Sequence, residues 1–210
     1  MAFYDAINDP STFVISFTAN PKRDFGVYAK GYARAASTLA ESLLEKPRFP
    51  DYEAYPVIFL YRHAFELYLK AVCNQAGLIA YFKGIEGEDF EFKPTHRLEP
   101  LAVIFQKICT TLFPSDTEIN QLTNKVTIFA REFSQIDNDS FGYRYPTTKS
   151  GKSATNRHQM VNLFSFHNSM KELLDELEII TFGFDIEEDR LQEIYEAVQN
   201  LNAFEPNEAD

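Results

Sequence analysis

The sequence predicts an all-α protein, an up-and-down bundle of about six helices with an extended N-terminal arm. Three observations predict it. The stretch Tyr55 to Ala76, YPVIFLYRHAFELYLKAVCNQA, is apolar around most of its circumference when wound at about 100° per residue, with Val57, Tyr61, Ala64, Phe65, Tyr68 and Val72 sharing one face. Such a helix belongs inside the fold. Two later stretches carry apolar residues at alternating spacings of three and four: Ile119, Leu122, Val126, Phe129, Phe133 and Ile136, then Leu163, Phe166, Met170, Leu173, Leu177 and Ile180. A chain of 210 residues that is 45% hydrophobic has enough apolar surface for one full core.

Residues 1–23 read as an arm, with turn signals at Asn8, Asp9 and Pro10 and one alternating run, Thr12 to Thr18, fit for an isolated strand. Asp24 caps a first helix that ends before Pro47 and Pro50. On it, Gly31, Ala35, Ala36 and Ala40 leave little bulk, so a neighbouring helix can approach closely. The central helix tolerates Pro56 because it falls in the first turn. Gly77, Gly84, Gly87 and the acidic EGEDFEFKP then mark a helix end and a loop of about ten residues.

Thr95 caps a third helix, HRLEPLAVIFQKICTTLF, stopped by Pro114. Ser115 and Glu118 form a capping-box pattern that opens the fourth. Asp137 to His158, DNDSFGYRYPTTKSGKSATNRH, has no sustained period and is the longest irregular segment within the fold. A fifth helix follows from about Gln159 to Ile180, and a sixth begins near Asp185, carrying Leu191, Ile194, Val198 and Leu201. Residues 24–202 therefore read as one domain, and 203–210 as a disordered acidic tail.

With 20 Lys+Arg against 31 Asp+Glu, the formal charge of −11 disfavours broad attraction to nucleic acid or anionic membrane. No sequence-specific DNA binding is expected. The two cysteines, Cys73 and Cys109, sit in apolar helical patterns without metal-ligand spacing, which fits a reducing cytoplasm. Neither a signal sequence nor an uncharged apolar run of about 18 residues is present.

Motifs for cofactor chemistry fail on inspection. Gly151-Lys152-Ser153 invites a phosphate loop, but the glycine required five positions earlier is Pro146. His63 and Glu66 form H-x-x-E, yet the second histidine of a helical zinc site is missing, because positions 59 and 67 are Phe and Leu. No G-x-S-x-G elbow occurs. Neither a metal nor a cofactor is expected.

What remains is a polar strip on the central helix: Arg62, His63, Glu66 and Lys70, with Asn74 beside them. One reading is structural, since Arg62 with Glu66 and Glu66 with Lys70 are (i, i+4) charge pairs that a buried helix must satisfy internally. The other is functional: the strip lines a cleft with Arg144, Arg157 and His158 and holds phosphate oxygens. Tyr143 and Tyr145 flank Arg144 and could stack bases or pack the loop onto the bundle.

The segments RHAFELYLKAV, THRLEPL, DNDSFGYRYPTTKSG and MVNLFSF, in that order, resemble the HEPN-domain superfamily of prokaryotic helical proteins. The match covers about residues 50 to 180: an R-x-A-x-E-x-x-x-K helix, a His-x-Leu helix start, and an F-R-Y-P-like loop at Tyr143-Arg144-Tyr145-Pro146. The resemblance implies a helical bundle, homodimerisation, and work in RNA processing, toxin-antitoxin pairs or mobile-element defence. Catalytic members are metal-independent ribonucleases with an arginine followed five to seven positions later by histidine. None of Arg62, Arg97, Arg131, Arg144 and Arg157 is so followed.

The sequence thus points to a non-catalytic RNA- or protein-binding module. A divergent ribonuclease using His63, His96 or His158 is the alternative. A structural subunit of a larger complex is a third possibility, and it would expose the seam from Leu163 to Ile180.

Overall fold

The computed structural model of the chain describes residues 24–85, 95–136, 142–145, 147, 150–151 and 160–204. The expected N-terminal arm, the tail beyond residue 204, and Arg157 and His158 lie outside the described residues. Five helices account for almost all of what is described: α1 (Asp24–Leu44), α2 (Asp51–Phe82), α3 (Leu98–Leu112), α4 (Thr117–Ile136) and α5 (Leu163–Phe204). They form one helical bundle, and no strand occurs among the described residues.

Helix α2 is the rod around which the others pack. Val57, Ala64, Phe65, Leu69, Val72, Ala76 and Ile79 are fully buried, and burial extends around most of the helix from Val57 to Ala76. It begins four residues before the expected start. Pro56 therefore lies in the second turn and not the first, on the exposed side, where the backbone bond it cannot make costs least. Asp51 and Glu53 suit the positive end of the helix, and Glu53 also takes a 2.8 Å bond from Lys46. At the other end Gly84 adopts φ +65°, letting Ile85 donate to the Ala80 carbonyl and Gly84 to that of Tyr81. This paired pattern closes α2 and needs a residue without a Cβ.

Helix α5 runs parallel to α2, and three polar contacts seven residues apart on α2 fix their register. The Tyr61 hydroxyl lies 2.6 Å from His167 Nδ1, Tyr68 donates to Glu178 Oε2 at 3.2 Å, and Gln75 donates to Asp185. Helix α1 is antiparallel to both. Its buried edge is Ala29, Ala36 and Ala40, while Gly31 and Ala35 face solvent. The approach is close at Gly26, where a Cβ would stand 3.0 Å from the Thr181 methyl.

Helix α3 also runs parallel to α2, which departs from a strict up-and-down order. His96, just before its start, bonds to Arg62 and Glu66, while Phe113 at its end stacks at 5.7 Å on Phe184, beside Asp185 and its partner Gln75. Helix α4 returns antiparallel to α5, through Lys125 with Glu172 and Glu176 and through Phe133 with Phe166.

Local signals shift by a residue or two. The cap of α4 is Asp116, whose Oδ1 accepts from the Glu118 and Ile119 amides at 3.0 Å, not Ser115. The Thr95 hydroxyl does accept from the Arg97 amide, but α3 starts at Leu98.

The expected break between Ile180 and Asp185 does not occur, so five helices stand where about six are expected. Gly183 alone costs about 1 kcal/mol in a helix. Burial of Phe184, about 1.5–3 kcal/mol for a large apolar side chain, outweighs it. Nor is the Leu163 to Ile180 seam exposed: Leu163, Met170, Leu173 and Leu177 are buried in the chain's own core. The exposed apolar residues of α5 are instead Phe164, Ile179, Phe182 and Ile186, with Ile194 and Val198 farther along.

Phe65 is fully buried and meets Phe133 at 6.4 Å. Phe65→Ala is expected to lower unfolding free energy by about 3–5 kcal/mol, read from urea denaturation. A loss below about 1 kcal/mol would mean that α2 is not the packed centre.

Candidate functional site

The polar strip folds in on itself. Glu66 is 1% exposed and takes three contacts: Lys70 Nζ at 2.7 Å and His96 Nδ1 at 3.0 Å on one oxygen, and Arg62 NH1 at 3.3 Å on the other. Arg62, also 1% exposed, donates a second bond at 2.8 Å to the His96 carbonyl. Arginine suits that double role, since its fork can bond a carboxylate and a carbonyl together. The helical spacing brings Arg62, Glu66 and Lys70 to one face, and the start of α3 closes over them.

Burial pushes the Glu66 carboxyl upward. The hydrogen bond and charge of Lys70, and after them the contact with His96, outweigh that effect and hold it below its usual value. Because the folded value is depressed, the stabilisation is full above the unfolded carboxyl value of about 4.3. It is lost as pH falls through the folded value.

His63 belongs to a different environment on the same face. Its ring stacks on Phe59 at 5.6 Å and meets the edge of Tyr32 at 4.5 Å. Burial is the main cause that lowers its proton affinity. The charges of Lys70, Arg144 and Arg62 add to the lowering, and Glu66 opposes it. The guanidinium of Arg144, from the loop before α5, stands 5.4 Å over the Phe59 ring and 5.7 Å from that of Tyr145. The loop thus comes down on the strip side of α2.

Of the residues singled out in sequence, the structure brings Arg62, Glu66 and Lys70 together and closes them from solvent. His63 is half-buried, Tyr143 half-buried, and Arg144 exposed. His96, with its side chain 66% exposed, is the one outward group of the Glu66 network. A ligand could reach Arg144, Tyr145, Tyr143 and the outer edge of His96. Arg62 and Glu66 are beyond its reach. Phe59 escaped sequence reasoning, although its (i, i+4) spacing to His63 was the available signal.

A second polar pair, Tyr61 with His167, is buried between α2 and α5. Burial pushes the Tyr61 hydroxyl up to about 12, which marks a neutral structural bond. Burial likewise raises the thiols of Cys73 and Cys109 to about 12, so neither is poised as a nucleophile. No cluster of three or more metal-ligating side chains occurs among the described residues. No helix among them is long and apolar enough to cross a membrane.

Followed by NMR, the His63 ring is expected to titrate below the ordinary value of about 6.5, and Arg144→Ala should move its midpoint upward. An unchanged midpoint in that variant would contradict the docking of the loop on Phe59 and His63.

No model of a known protein family, no curated protein and no solved structure matches the chain.

Proposed function

We propose that the protein is a non-catalytic RNA-binding module of HEPN-like type, working as a homodimer in a prokaryotic stress, defence or mobile-element setting. The observation that carries the reading is the placement of Arg144. Its guanidinium is exposed, flanked by Tyr143 and Tyr145, and held over Phe59, in a chain whose formal charge is −11. A fixed cation between aromatic rings suits a phosphate with its neighbouring base. The closed Arg62–Glu66–Lys70 network supports a structural role for the strip, which holds the platform in shape. The exposed Ile179, Phe182 and Ile186 provide apolar surface on which a second copy or a partner protein could pack.

One observation favours the ribonuclease alternative. His96 Nδ1 donates to the buried Glu66 carboxylate while the side chain is largely exposed, an arrangement that orients an imidazole for proton transfer. Against it stands the absence of a second proton-transfer group bonded to His96 among the described residues.

The test is fluorescence anisotropy with mixed-sequence single-stranded RNA at low salt and in chelator, with gel analysis of the same samples. Wild type is expected to bind without cleavage, and Arg144→Ala to bind about tenfold more weakly, the loss of one charge-assisted contact. Absence of binding overturns the reading. Cleavage that disappears in His96→Ala replaces it with the nuclease.

A further inference from the structure

A cavity of about 530 Å³ opens between α4, the start of α5 and the loop residue Tyr143. Phe129, Phe133, Phe166 and Tyr143 supply aromatic lining, with Ile58 beside them. Phe166 packs edge-on to Tyr61 at 5.8 Å and to Phe133 at 6.1 Å. On the rim are Glu132 and Gln135, one turn apart on α4 and both exposed. The cavity adjoins the Arg144 platform at two points: Ile58 precedes Phe59 on α2, and Tyr143 precedes Arg144 in the loop.

We propose that this cavity receives one unstacked nucleobase of a single-stranded RNA whose phosphate is held by Arg144. This rests on the RNA-binding reading and adds to it where the base goes. Aromatic walls take the flat faces of a base, while a carboxylate and an amide at the rim accept from its exocyclic amine and ring N–H groups. Charge supplies a second argument. At −11 the chain cannot gather RNA by broad attraction to phosphates, so affinity has to come from stacking and base-edge contacts.

The experiment compares a labelled single-stranded RNA with an abasic oligomer of the same length and phosphate count, on wild type, Tyr143→Ala, Tyr143→Phe and Glu132→Ala. Wild type is expected to prefer the RNA by about tenfold or more, the range of one stacked base, with a shallow dependence on salt. Tyr143→Ala should erase the preference and Tyr143→Phe should keep it, because the phenyl ring preserves stacking. Glu132→Ala, an exposed change that does not disturb the core, should shrink the preference. If the abasic oligomer binds as tightly as the RNA, the base pocket is overturned while RNA binding stands. If neither binds, both fall, and a protein partner becomes the occupant to seek.

Discussion

The fold depends on one buried carboxylate. Glu66 sits in the middle of the most buried helix of the molecule, where an uncompensated charge costs several kcal/mol, roughly the whole stability of a small domain. It is tolerated because Lys70 and Arg62 flank it one turn to either side and His96 closes on it from the segment just before α3. Arg62 then reaches past it to the His96 carbonyl. The ionic groups that make α2 awkward to bury are therefore the ones that bring the next helix to it and set its direction. Leu98, Leu101 and Ala102, all buried, add apolar packing to the same part of α3.

The same closure decides what the surface can do. Since Glu66 is paired with both Arg62 and Lys70, the strip acts as a buttress. The groups left at the surface lie around it: the outward face of His96, the Arg144 guanidinium over Phe59, and the aromatic cavity beyond Ile58. His63 lies on the same side of α2, its proton affinity lowered by burial and by the cations around it. An exposed guanidinium among aromatic rings, on a chain of strongly negative net charge, is the feature on which the proposal of RNA binding rests.

Much of this was legible in the sequence, and the reason is periodicity. The apolar circumference of α2 and the three-four spacing of α4 and α5 identify helices whatever surrounds them. The charge pairs of Glu66 with Arg62 and Lys70 were equally legible, because both are local. What the sequence hid was non-local. No spacing announces that His96 closes on Glu66 across thirty residues, or that Tyr61, Tyr68 and Gln75 meet partners on α5. The fusion of the last two expected helices was hidden for the same reason: TFGFD looks like a break until Phe113 gives Phe184 a stacking partner. Boundaries moved where two cap residues competed, as with Ser115 and Asp116. On the site, sequence could name Arg144 and its tyrosines but not Phe59, the ring that places them.

The most direct test of the central claim is amide hydrogen exchange in the native state of the wild type and of Glu66→Gln. If the buried carboxylate pins α3 to α2, the amide substitution selectively lowers the protection of residues 101–112 of α3, while the buried turns of α1 and α2 lose no more than the global change in stability. Protection that falls equally in all helices, or not at all in α3, would contradict it.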